Sequence, residues 1–130
     1  MIKTGETYSI IIFNDTIFNT DSSNFSANSN RVLEPLTGLL KFYETVSIRI
    51  SGFSDNSSTV RRGIALSGRQ AERLGDYLAE QGLDARMIYA VGYGPALPVA
   101  SNATPEGRAK NRRMVIKFRY IVIPVERYDY

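Results

Sequence analysis

Apolar and polar positions along the chain switch between two periods, and the switching predicts alternating strands and helices. Tyr8 to Phe13 is a β-branched run, Ser9-Ile10-Ile11-Ile12-Phe13, whose unbroken apolar character predicts a strand buried on both faces. Asn14 to Ser29 is crowded with Asn, Ser, Asp and Thr, whose side chains hydrogen-bond nearby backbone in turns, and it is predicted to be a loop. Val32, Leu36, Leu39 and Tyr43 then fall on one helical stripe. Pro35 lacks the N–H that an inner helical turn uses, so this helix is predicted to start between Asn30 and Glu34, with Pro35 in its first turn or at a kink.

Farther on, Val46, Ile48 and Ile50 alternate with Ser47, Arg49 and Ser51, a period of two that predicts a strand with one buried and one wetter face. The polar stretch Asp55 to Gly63, carrying Arg61 and Arg62, is predicted to be a linker. A second helix is predicted from about Leu66 to Gln81, with Ala71, Leu74 and Leu78 inward and Arg69, Glu72, Arg73, Asp76 and Glu80 outward; Gly82 ends it. Met87 to Val91 is predicted to be a short strand closed by Gly92-Tyr93-Gly94-Pro95. Thr104 as N-cap, Pro105 at the first helical position and Glu106 at the positive end of the dipole predict a short helix. It leads into a last strand that begins at Met114 and can run past Tyr120 as far as Pro124. This order predicts an α/β sandwich, βαβαβ(α)β, with a mixed sheet and helices packed on one face. No internal repeat or boundary interrupts it, so residues 1–130 are expected to form one domain.

Composition narrows the chemistry. The chain has neither cysteine nor histidine, which removes thiol nucleophiles, Ser-His triads, His-ligated zinc and iron–sulfur clusters; no metal or cofactor is expected. A net charge of +3 is spread among 13 acids in no run longer than a pair, and no nucleic-acid partner is expected. No apolar stretch approaches the ~20 residues of a membrane-spanning helix, so membrane attachment is expected only through a segment absent from this sequence.

Two runs carry the candidate site. Ser51-Gly52-Phe53-Ser54-Asp55-Asn56 places a lone carboxylate, Asp55, at a strand exit, where it is set to receive a ligand or, more plainly, to cap a turn through Ser57 or Ser58. Thr104 to Met114 hands Arg112 and Arg113 to the last strand; these either frame that strand, one of them pairing with an acid, or contribute to the site. Arg61-Arg62 is by itself an ordinary solvated pair, and Tyr93 ordinary loop packing. Asp55 with Asp21 or Glu106 lacks the paired-acid pattern of glycoside cleavage, and the protein is not expected to be an enzyme.

Gly52-Phe53-Ser54-Asp55-Asn56, Leu66-Ser67 with Ala71 four residues on, Gly92-Tyr93-Gly94, Pro98, Asn102 and Gly107-Arg108-Ala109-Lys110-Asn111-Arg112-Arg113 together resemble the OmpA-like C-terminal domain family. The resemblance covers about residues 8–118 and leaves 119–130 as a C-terminal extension, apolar enough to lengthen the last strand or to meet a partner. It implies a periplasmic module, tethered to the outer membrane, that binds peptidoglycan without covalent chemistry through the diaminopimelate of the stem peptide. In the family an aspartate takes the ligand ammonium and a helix arginine takes its carboxylate. Asp55 matches the aspartate, Ser54 stands for the family threonine, and Asp21 falls in a loop that lines the same pocket in relatives. The arginine does not match: Gln70 occupies its position, Arg69 beside it points about 100° around the helix, and Gly63 stands where relatives often carry asparagine. Gln70 could instead close a capping box with Ser67. Arg61, Arg62 or Arg69 would then supply the missing cation. The expected binding residues are Asp55, Ser54, Asp21, Gln70, Arg69, Arg62 and Arg112. The other reading is a degenerate scaffold of a secretion machine, working through envelope proteins with weak or no wall binding. The resemblance fits accessory lipoproteins of type IVB secretion systems, flagellar stators and porin tails alike.

Overall fold

The computed structural model describes residues 3–122. Four strands, β1 (Lys3–Phe13), β2 (Thr45–Phe53), β3 (Ile88–Gly94) and β4 (Arg113–Val122), form one sheet in the order β1-β4-β2-β3. The β2–β3 pair is parallel and β4 runs antiparallel to both β1 and β2, so the sheet is mixed. Three helices, α1 (Asn30–Phe42), α2 (Val60–Glu80) and α3 (Pro105–Asn111), lie in the connections.

Alternation along the strands decides where the core sits. Ile12, Ile48, Ile50, Met114, Ile116, Phe118 and Tyr120 turn to one face and are buried against Leu33, Leu36 and Leu40 of α1 and Ala71, Leu74 and Leu78 of α2. Arg49, Lys117 and Arg119 turn to the other face and are exposed. The expected mixed sheet with helices on one face is what the chain forms.

Several local expectations shift. β1 is an edge strand with only one face covered; Ile11 is 56% and Phe13 44% exposed, so its apolar run is not buried on both sides. Val46 is also exposed, because the β2–β4 register slips between Thr45 and Ser47. On α1 the inward stripe is Leu33, Leu36, Thr37 and Leu40, turned from the expected one, with Leu39 facing water. Thr37 can sit in that stripe because its hydroxyl donates to the Leu33 carbonyl at 2.8 Å. Pro35 stands on the exposed side of the second turn, and the helix continues through it to Phe42.

The largest difference is α2, which begins at Val60 and absorbs part of the expected linker. Thr59 is its N-cap: Oγ1 accepts from the Arg62 N–H at 3.2 Å. Solvated Arg61 and Arg62 hide this first turn from any apolar pattern. Gln70 is therefore in the middle of a helix, and a capping box with Ser67 does not exist. The C-terminus ends as expected: Gly82, at φ +104°, donates to the Ala79 carbonyl and Leu83 donates to Leu78, the paired bonds of a Schellman motif.

Strands β2 and β3 press directly on α2. A Cβ on Gly52 would stand 2.3 Å from the Ser67 carbonyl oxygen, and one on Gly92 would stand 2.2 Å from the Gly68 nitrogen. Ser67, fully buried, donates to the Ile64 carbonyl and accepts from the Gly94 N–H, tying the helix to the end of β3. This close docking sets the N-terminal half of α2 beside the exit of β2.

Candidate functional site

The cavity opens where β1 ends, β2 exits and α2 begins. It has a volume of about 570 Å³, and Asp21, Ser54, Asp55, Arg62, Arg69, Gln70 and Arg112, all seven residues expected at the site, line it. Arg61 is exposed and does not. Asn14, Asp15, Asn19, Ser57 and Ser58 also contribute.

Asp55 is the centre of the polar wall. Its side chain is 11% exposed; Oδ1 accepts from the Ser57 N–H at 2.9 Å and Oδ2 accepts from Arg112 Nη1 at 2.5 Å. Burial by itself would raise the Asp55 carboxyl, but the Ser57 N–H and hydroxyl and then the Arg112 guanidinium outweigh it and hold the group below its ordinary value. Asp55 is thus ionised at neutral pH. The turn-capping bond to Ser57 is made, and the same carboxylate stands at the wall of the cavity.

Ser54 is buried beneath it, and its hydroxyl donates to the Asp55 carbonyl at 3.0 Å. It supports the turn that aims Asp55. A Cβ at Gly63 would come within 2.6 Å of Ser54 Oγ, which explains a glycine at that position in this chain.

Arg112 leaves the end of α3 and reaches across to two acids. Nε and Nη2 donate to the two oxygens of Asp15 at 3.0 and 2.8 Å, a bidentate pair, while Nη1 serves Asp55. The hydrogen bonds that it donates to Asp15, and then the one to Asp55, hold the guanidinium more firmly charged than usual. Arg113 behaves differently. It lies over the Phe53 ring at 4.1 Å and donates to the carbonyls of Asn111 and Leu97, with no acid partner among the described residues. One arginine of the pair therefore serves the site and the other the strand.

Gln70 is 5% exposed and makes structural bonds: Oε1 accepts from Asn14 Nδ2 at 3.2 Å, and Nε2 donates to the Ser22 carbonyl at 3.0 Å. It ties α2 to the turn after β1 and to the loop beyond. Arg62 and Arg69 are exposed at the rim and have no side-chain partner among the described residues. Asp21 lies in the loop at φ +50°, a left-handed conformation that Asp tolerates better than most residues. Three carboxylates (Asp15, Asp21, Asp55) and three guanidinium groups (Arg62, Arg69, Arg112) thus face one cavity.

The run before β4 is mostly scaffolding. Thr104 Oγ1 accepts from the Gly107 N–H at 3.0 Å, as its capping position predicts. Asn111 is fully buried and satisfied on both sides, accepting from Val99 and Ala100 and donating to Ala100 and Asn102. Tyr93 stacks on Phe53 at 5.5 Å and its hydroxyl accepts from Arg49, a role on the open face of the sheet away from the cavity. Asn14 and Asp15 were hidden in the sequence by a polar stretch that reads as loop. Their one signal was position, directly after a strand, where a side chain is rigidly placed.

A mixed sheet with helices on one face, and a charged cleft at the exit of its second strand, define an OmpA-like module. The chain belongs to the OmpA family, whose model matches residues 17–112. It is 37% identical over 99 residues to the peptidoglycan-binding protein ArfA of Mycobacterium tuberculosis, covering 76% of this chain and 30% of that protein. The chain therefore spans less than a third of that curated relative. Among solved structures, it is similar to the cell wall anchor of the type VI secretion system from Pseudomonas aeruginosa, with a TM-score of 0.80, 27% identity, and coverage of 92% of this chain and 87% of that one. The peptidoglycan-associated lipoprotein from Burkholderia pseudomallei matches with a TM-score of 0.69 and 26% identity over 79% of this chain and 87% of that one.

Among the described residues no cluster of three metal-ligating side chains occurs, and no helix is long and apolar enough to cross a membrane.

Proposed function

We propose that this chain is a non-covalent peptidoglycan-binding module that helps anchor a cell-envelope complex to the wall. The observation that carries the reading is Asp55: an ionised carboxylate, fixed by Ser57 and Arg112, at the wall of a cavity large enough for an amino-acid end. Its donors are the Ser57 N–H and hydroxyl and one Arg112 N–H, so a carboxylate with about four acceptor sites still has room for a ligand ammonium. The amine of a stem peptide, diaminopimelate in the finer form of the proposal, would sit there. Arg62 and Arg69 at the rim, without a side-chain partner among the described residues, are the cations for the peptide's carboxylates. The names of the relatives, a peptidoglycan-binding protein, a cell wall anchor and a peptidoglycan-associated lipoprotein, support the same ligand. With that ligand the module would work in the periplasm, and a tether to the outer membrane belongs to the same proposal.

Binding without turnover is the chemistry this cavity favours. Ser57 and Arg112 hold the Asp55 carboxyl charged, whereas a general acid needs a carboxyl held protonated.

The scaffold reading keeps one observation in its favour: the position of Gln70 carries no cation and its amide is engaged within the protein. Sedimentation with purified sacculi separates the two. Asp55→Asn is expected to keep the fold and weaken sedimentation by about ten-fold or more, the ~1.5–3 kcal/mol of a hydrogen bond to a charged group. Unchanged sedimentation removes Asp55 from the site and favours the scaffold.

A further inference from the structure

The inner wall of the cavity contains two carboxamides, Asn14 and Gln70, which are 3% and 5% exposed. Their orientation follows from their neighbours. Asn14 Nδ2 donates to the Phe53 carbonyl at 3.3 Å and to Gln70 Oε1 at 3.2 Å, and Gln70 Nε2 donates to the Ser22 carbonyl at 3.0 Å. Turning either amide over would set its oxygen against a carbonyl oxygen, so these carbonyls decide which atom is nitrogen. Both hydrogens of Asn14 Nδ2 are thereby committed inside the protein, while Asn14 Oδ1 is buried with no partner.

This wall is rich in lone pairs and poor in donors. At most one hydrogen of Gln70 Nε2 is uncommitted. Among the described residues no cation offsets the imbalance there: Arg112 is committed to Asp15 and Asp55, and Arg62 and Arg69 are exposed at the rim. A carboxylate is acceptor-only and would bring negative charge against Asn14 Oδ1 and Gln70 Oε1. A primary carboxamide brings two N–H donors, and its own oxygen can take the remaining Gln70 hydrogen.

Resting on the reading that the cavity takes the amine end of a stem peptide, we propose that it selects the form in which the carboxyl beside that amine is a primary carboxamide over the form with a free carboxylate. The ammonium is held by Asp55, and the neutral amide faces the Asn14–Gln70 wall.

Two synthetic stem peptides that differ only in this group, titrated calorimetrically into the protein, test the proposal. The carboxamide peptide is expected to bind about ten-fold tighter or more, the scale set by one buried polar group satisfied rather than opposed. Gln70→Arg, which puts a cation on the wall, is expected to reverse the order; should it fail to fold, the two wild-type titrations decide alone. Equal or tighter binding of the carboxylate peptide by the wild-type chain overturns the selectivity and leaves wall binding standing. If neither peptide binds, the proposal falls, and if sacculi also fail to sediment the protein, the peptidoglycan reading falls with it.

Discussion

Asp55 does not act alone; it is one end of a chain of contacts, Ser57–Asp55–Arg112–Asp15, contributed by three separate segments. The pH dependence follows from its depressed carboxyl. A group whose folded value lies below its unfolded one, here below 3.8, stabilises the native state at neutral pH and loses that contribution as pH falls through the folded value. Sacculus binding and stability due to Asp55 are therefore expected to stay level from pH 7 to about 5 and to fail only in more acid solution. Arg112→Ala removes one of the groups that lower Asp55, so the acid limb of a pH–stability curve is expected to move to higher pH. An acid limb identical to wild type would show that Arg112 does not govern Asp55.

At the scale of elements, the site depends on how closely the sheet approaches α2. Gly92→Ala would put a methyl 2.2 Å from the Gly68 nitrogen and 2.6 Å from the Ile64 carbonyl oxygen, both backbone, so the helix must move. The expected loss is about 3 kcal/mol or more by denaturant unfolding, at the upper end of overpacking costs. Gly38→Ala is the contrasting case: it lies in α1 with nothing within 4 Å of an added Cβ. It is expected to stabilise by about 0.5–1 kcal/mol through helix propensity and lost unfolded-chain freedom. Should both alanines prove equally harmless, the close packing of α2 on β3 would be wrong. Propensity alone distinguishes these two glycines poorly, because each is simply a glycine within a regular element; the difference is what stands opposite.

The whole molecule extends past the matched family region. β4 carries Tyr120 into the core beside Tyr8, Tyr43 and Phe118, and the Ile121 N–H donates to the Glu44 carbonyl. The first residues of the expected extension are thus part of the sheet, while residues 123–130, including Pro124, lie outside the described residues. Removing 123–130 is expected to leave the melting temperature and sacculus binding nearly unchanged. Removing 119–130 takes Tyr120 from the core and is expected to cost about 3–5 kcal/mol, as for loss of a large buried aromatic. A short truncation that alone unfolds the protein would place essential packing beyond Val122.

What the sequence determined by itself were features carried by neighbours along the chain: the strand alternation of Ile48 and Ile50, the inward face of Ala71, Leu74 and Leu78, the Gly82 stop and the Thr104 cap. Each depends on local backbone geometry, so its signal survives in one dimension. The separated motifs also gave the family and the seven cavity residues. The tertiary structure alone decided that β1 is an edge strand, since exposure of Ile11 depends on what lies beside it and not on its own run. It decided likewise that Asn14 and Asp15, in a stretch that reads only as polar loop, complete the site. Asp15 meets Arg112 across 97 residues and Asn14 meets Gln70 across 56. Such contacts exist only when β1, α2 and the start of β4 are brought to one end of the sheet, and no local spacing encodes that meeting.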